Sequence, residues 1–198
     1  MIERILILLF FSLSLFARSQ ELILEKPVVS NALPTSIVYS ISQSADGYMF
    51  FGTEKGLIKF NGLYYEHLQL NTIGKAVHNL ISVDNKIYGL TFSKELFIWS
   101  KDSVQIFSSK SNIELSKLSW FKIIGNSIFV FGPQSLQILN KNTMKVVFTK
   151  KGDDIPVTWD AFEENNQIKI IFNNFQIKPI NEYKNCTKTL ADENKINR

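Results

Sequence analysis

The stretch Asp46–Phe60, DGYMFFGTEKGLIKF, decides how the chain is read. Asp46-Gly47 is a dipeptide that supplies the positive φ a tight hairpin turn needs. Tyr48-Met49-Phe50-Phe51-Gly52 then reads as an aromatic-rich strand, and Gly56–Phe60 (GLIKF) as the next one, separated by a short turn. The same pair of strands returns along the chain. Apolar segments open at Leu57, Leu96, Leu136 and Phe175, at spacings of 39, 40 and 39 residues. Each is preceded by a partner: Tyr48–Gly52, Ile87–Leu90, Ile128–Gly132 and Ile168–Phe172. Each partner follows a turn pair: Asp46-Gly47, Asp84-Asn85, Gly125-Asn126 and Asn165-Asn166.

Working outward, a further strand lies upstream of each turn, at Ile37–Ser42, Val77–Val83, Trp120–Ile124 and Trp159–Phe162. Fourth strands are predicted at Tyr64–Leu68, Val104–Phe107 and Lys145–Phe148, and Glu182-Tyr183 begins one more. A period near 40 with about four short strands is the mark of a β-propeller blade. An antiparallel sandwich also has short, regularly spaced strands but has no reason to repeat at a fixed interval. The expected fold is therefore all-β: a propeller of four-stranded antiparallel blades, about four of them, over residues 33–70, 76–110, 117–150 and 156–183. The ring is expected to be incomplete, so that a chain expressed alone associates through a terminal blade. A closed four-bladed ring is the alternative.

Composition agrees. The chain has 198 residues, 45% hydrophobic, 20% charged and 13% aromatic, with 16 phenylalanines, which is the composition of a folded chain. A single cysteine, Cys186, excludes an intramolecular disulfide and a multi-cysteine metal cluster. The net charge of +4 is spread along the sequence, with no basic stripe of the kind nucleic acid requires.

Residues 1–19, MIERILILLFFSLSLFARS, read as a signal peptide. Arg4 precedes the apolar run Ile5–Phe16, and Ala17-Arg18-Ser19 offers small residues for cleavage before Gln20. That run is too short to span ~30 Å of hydrocarbon, which takes about 20 helical residues. A buried core helix or an uncleaved anchor is the competing reading. No cysteine follows it, which argues against a lipoprotein. Residues 20–183 are then the propeller, without a membrane span, and 184–198 a polar tail.

The segment Leu33–Gly62 resembles the two-component regulator propeller repeat. Leu33-Pro34, Asp46-Gly47, Gly52-Thr53, Gly56-Leu57 and Asn61-Gly62 fit that family's pattern at its spacing, and Phe50 stands where the family has Trp. The second unit keeps Asp84-Asn85 and Gly89 but lacks Gly-Thr and Gly-Leu, and the later units keep only strand pattern and spacing. Each motif position has a structural task. Gly47 relieves the first turn, and Gly52 is expected to end the second strand where the chain bends. Thr53 is expected to bond local backbone, Gly56 to open the third strand, and Leu57 to pack between blades.

The resemblance implies an exported, periplasmic sensor module that binds an unknown small-molecule or glycan ligand. It also implies further blades and a membrane-linked histidine kinase or DNA-binding output as partners. The alternative is a free-standing periplasmic propeller that binds carbohydrate or acts as a hydrolase or lyase.

No catalytic constellation, cofactor or metal is expected. His67 and His78 are the only histidines and stand in no metal-binding spacing. His67 reads as a solvated residue of an outer strand. His78 falls on an innermost strand and is the one ligand-facing candidate. A G-x-S-x-G elbow is absent. Asp153-Asp154 and Glu163-Glu164 read as solvated hairpin tips rather than the opposed carboxylates of a glycosidase. Tyr64-Tyr65, Trp99, Trp120 and Trp159 are expected to pack blades rather than to stack on a sugar. Asn185-Cys186-Thr187 matches a glycosylation sequon, without meaning in a bacterial exported protein.

Overall fold

In the computed structural model, residues 31–101, 103–107, 113, 115, 116, 119–151, 158–172 and 175–180 are described. The proposed signal peptide, Asp153-Asp154, Glu182-Tyr183, Cys186 with its sequon, and the polar tail lie outside them. The hairpin turns form where the sequence places residues that tolerate positive φ. Asp84 and Asn85 adopt φ of 53° and 56°, Asn165 and Asn166 51° and 59°, and Gly47 89°.

The described residues form fifteen strands. The first sheet holds β1 (Val38–Gln43), β2 (Met49–Thr53), β3 (Gly56–Phe60) and β4 (Tyr65–Leu68). The second holds β5 (Val77–Val83), β6 (Lys86–Thr91), β7 (Leu96–Ser100) and β8 (Ser103–Phe107). The third holds β9 (Trp120–Ile124), β10 (Ser127–Gly132), β11 (Ser135–Asn140) and β12 (Val146–Lys151). In the fourth, β13 (Thr158–Glu164), β14 (Gln167–Phe172) and β15 (Ile177–Pro179) are described. Every sheet is an antiparallel meander in chain order.

The opening strands pack on one another in succession, β1 on β5, β5 on β9 and β9 on β13, so they line the inside of an arc. The chain is a β-propeller whose ring is not closed: among the described residues, the first and fourth sheets do not pack together as successive sheets do.

Three apolar cores hold the arc, one between each pair of neighbouring sheets. Between the first and second lie Phe50, Leu57, Val77, Leu80, Ile87 and Phe97. Tyr88, Leu90, Ile98, Phe121, Ile128 and Val130 fill the next gap. Phe129, Phe131, Leu136, Ile138, Ala161 and Ile170 fill the last. Alternate residues of one strand thus serve two cores. Ile87 faces one neighbour and Tyr88 the other, and all six residues of β10 are buried. This double burial explains why strands of an antiparallel fold read as continuous apolar runs. The tryptophans follow the packing reading where described: Trp99 lies 5.1 Å from Phe50, and Trp120 stacks on Phe131 at 4.2 Å. Tyr65 stacks on Phe60 at 4.5 Å, whereas Tyr64 is exposed.

The motif residues do mostly what their chemistry dictates. Fully buried Thr53 donates from Oγ1 to the Gly56 carbonyl at 2.8 Å and accepts from the Lys55 N–H at 3.2 Å, closing the β2–β3 turn. Gly56 has φ 126° at the start of β3, and Leu57 is buried between the first two sheets. Thr53→Val is expected to cost about 1–2 kcal/mol, since a buried carbonyl loses its donor; urea unfolding reads this directly.

Three details correct the sequence reading. Gly52 does not end β2 at a bend; it sits inside the strand, paired with Ser40 and Leu57. A Cβ there would lie 2.4 Å from Ser40 Oγ and 2.9 Å from the Val77 carbonyl oxygen of the next sheet, so close approach demands the glycine. Gly89 is not its counterpart: the register places Leu90 there and Gly89 opposite Phe97, whose ring occupies the space of a side chain. Thr91 takes the place of Thr53, fully buried and accepting the Glu95 N–H at 3.2 Å. The third strand of the fourth unit begins at Ile177, not Phe175. Phe175 has φ 61° and belongs to the preceding turn, its N–H donating to the Phe172 carbonyl at 2.9 Å.

Candidate functional site

Three of the opening strands, β1, β5 and β13, carry a shared irregularity. Pairing slips between Val38 and Ser40 in β1, between Val77 and Asn79 in β5, and between Thr158 and Asp160 in β13. Each slip inserts one extra residue near the start of the strand: Tyr39, His78 and Trp159. A bulge turns its extra side chain out of the ladder. Of Trp159 only the backbone is described.

At this leading end of the blades, the turn between β6 and β7 brings Phe92 over the first two bulges. The Phe92 ring stands 4.5 Å from His78 and 5.0 Å, edge to face, from Tyr39. Tyr39 is 44% and Phe92 38% exposed, so two aromatic rings form a surface above the imidazole. Nε2 of His78 is buried and has no hydrogen-bond partner among the described residues. Burial pushes the His78 pKa below the ordinary imidazole value of 6.5, partly offset by a backbone hydrogen bond at Thr91. His78 is therefore neutral near pH 7, with a spare ring nitrogen.

The direction has a consequence for stability. The unfolded chain binds a proton at His78 near 6.5, while the folded chain binds it only at lower pH. Stability supplied by the neutral imidazole is complete above 6.5 and declines as pH falls below it. His78→Gln is expected to remove that part of the acid sensitivity, read as a smaller difference between urea midpoints above and below 6.5.

The other sequence candidates do not gather here. Asp46, Gly47, Gly52, Thr53, Gly56 and Leu57 build the first sheet. His67 is an exposed residue of β4 whose Nε2 meets the Lys55 carbonyl at 2.7 Å. Glu163 is exposed beside the β13–β14 turn and Glu164 pairs with Lys169. Among the described residues, no group of three or more His, Cys, Asp or Glu side chains is placed to hold a metal ion. No described helix is long and apolar enough to cross a membrane. Sequence reasoning missed Tyr39 and Phe92. A bulge leaves no signature in residue types, and Phe92 reads as one more apolar residue beside a strand.

Comparison by sequence, with family models and with curated proteins, gives no match. Comparison of folds finds propellers. The chain is similar to the WD40 β-propeller domain of Doa1, with a TM-score of 0.55 and 15% identity, covering 74% of this chain and 52% of that one. It is similar to the extracellular domain of the putative hybrid two-component system BT3049 from B. thetaiotaomicron, with a TM-score of 0.58, 18% identity and 75% of this chain covered. It is also similar to the extracellular domain of the putative one-component system BT4673 from the same organism, with a TM-score of 0.57, 12% identity and 77% covered. It spans 25% and 22% of those two chains. At these identities the likeness is one of fold.

Proposed function

We propose that the chain is an exported, extracytoplasmic sensor propeller that binds a small molecule or glycan and passes the signal to a membrane-linked two-component output. The observation that carries this reading is the leading-end surface, Tyr39 and Phe92 over the unpaired Nε2 of His78. Aromatic rings present a flat apolar face suited to a sugar ring, and the uncharged imidazole packed against Phe92 holds that face in position. The signal-like segment at residues 1–19, the motif of the first sheet and the extracellular two-component domains among the fold neighbours support the same reading.

The test is a panel of neutral mono- and oligosaccharides titrated by intrinsic fluorescence against the wild type, Phe92→Ala and His78→Gln. A sugar that binds the wild type and loses at least tenfold in affinity in both variants, at unchanged fold by circular dichroism, supports the proposal. Binding that survives both substitutions, or no binding across the panel, refutes it.

A further inference from the structure

The turn that carries Phe92 is tied to the loop that leads from the first sheet into the second. That loop, residues 69–76, joins β4 to β5. The Phe92 N–H donates to the Ala76 carbonyl at 3.0 Å. Gly74 packs against Ser93 so closely that no space is left there for a Cβ. The third tie is a carboxylate. Glu95 is buried, at 5% exposure, and its Oε2 accepts the Ile73 N–H at 2.9 Å. The Ile73 side chain is 89% exposed, so Glu95 grips the loop by its backbone.

The carboxylate is set from its own side as well. The Glu95 N–H donates to Thr91 Oγ1 at 3.2 Å, and the Thr91 N–H to the Glu95 carbonyl at 3.0 Å. The backbone of Thr91, which is fully buried, also hydrogen-bonds His78. Loop, turn and imidazole are thus joined through two buried residues, Thr91 and Glu95. Within the loop, Thr72 Oγ1 donates to the Gly74 carbonyl at 2.8 Å. The β2–β3 turn has a counterpart on the surface: exposed Glu54 accepts from Thr35 Oγ1 at 2.7 Å, in the segment that enters β1.

We infer that Glu95 is a positioning residue of the leading-end surface: its carboxylate, by holding the Ile73 N–H, fixes the turn that keeps Phe92 over His78. A carboxylate is a strong acceptor, and burial makes the bond costly to leave unmade. An aromatic ring serves a binding surface when its own position is locked by such supporting contacts. The use of this clasp in sugar binding rests on the function proposed above, whereas the positioning rests on the contacts alone.

The test is proton NMR of the full chain without ligand, above pH 6.5, where His78 is neutral. The sequence has two histidines, so His67→Gln assigns the imidazole signals. The Phe92 ring stands 4.5 Å from His78, and Phe92→Ala is expected to shift the His78 signals. Glu95→Ala is expected to carry them at least half of the way to their Phe92→Ala positions. Glu95→Gln, whose amide oxygen still accepts the Ile73 N–H, is expected to leave them near wild type. The Trp120 indole signal, in the third sheet, is expected to stay in place throughout, which separates a displaced turn from a loosened fold. If Glu95→Ala does not fold, Glu95→Asp, which keeps the carboxylate but shortens its reach, must move the His78 signals in the same direction. Any neutral sugar that binds the wild type is expected to bind Glu95→Ala at least threefold more weakly and Glu95→Gln as before. A panel without a binder overturns the sugar reading, while the resonances still decide the positioning. His78 signals unmoved by Glu95→Ala, signals moved as far by Glu95→Gln, a Trp120 signal displaced with them, or a sugar affinity unchanged in Glu95→Ala would each overturn the assignment.

Discussion

Phe97→Ala is expected to destabilise the chain by about 3–5 kcal/mol, the usual cost of emptying a buried phenylalanine site. The ring is fully buried between the first two sheets among Phe50, Leu57, Val77, Leu80 and Ile87. It lies across Gly89 on the neighbouring strand, where a Cβ would stand 2.1 Å from the end of the ring. Gly89→Ala is thus expected to cost about 1–3 kcal/mol by overpacking. The two effects share one space and do not add. In the Phe97→Ala background, Gly89→Ala meets no ring and is expected to be nearly neutral, a coupling of about 1–3 kcal/mol in the double-mutant cycle. Urea unfolding of the four proteins measures it. Additive losses would contradict this packing.

The second large effect concerns exposed apolar side chains of the first and fourth sheets that lie outside the three cores. In β1, Ser42 stands opposite Phe50, which packs toward the second sheet, so Ile41 points to the far face, where it is 56% exposed. In the fourth sheet, Ile170 packs toward the third. Its neighbour Ile171, paired with Ile177, belongs to the far face, and Ile177 is 54% exposed. Exposed apolar side chains at both ends of an open arc favour association from one copy to the next. Light scattering is expected to give a mass above the monomer that rises with concentration. Ile41→Glu/Ile177→Glu is expected to return the monomer, because a carboxylate buried in that contact has no partner. A wild type that stays monomeric at every concentration would contradict the prediction.

The sequence carried the architecture well because the repeat is built from local rules. Asp84-Asn85 and Asn165-Asn166 mark their turns, and the spacing of Leu57, Leu96 and Leu136 places each third strand. What it did not carry depends on neighbours far along the chain. Gly52 and Gly89 look alike, yet one answers to a carbonyl of the next sheet and the other to a ring across the ladder. The bulges at Tyr39 and His78 have no compositional sign, so the sequence offers His78 as a candidate by its strand alone and gives no sign of the Phe92 ring beside it.

The claim beneath the proposed site is that four blades stand in an open arc with its inner strands in order. Gln43, Ser82 and Glu163 occupy equivalent positions near the ends of β1, β5 and β13. Spin labels at these positions, with Cys186→Ser, allow two distances to be compared by pulsed electron resonance. In the open arc, the 43–163 distance exceeds the 43–82 distance between neighbouring blades. Equal distances, as a closed four-bladed ring requires, would contradict the account.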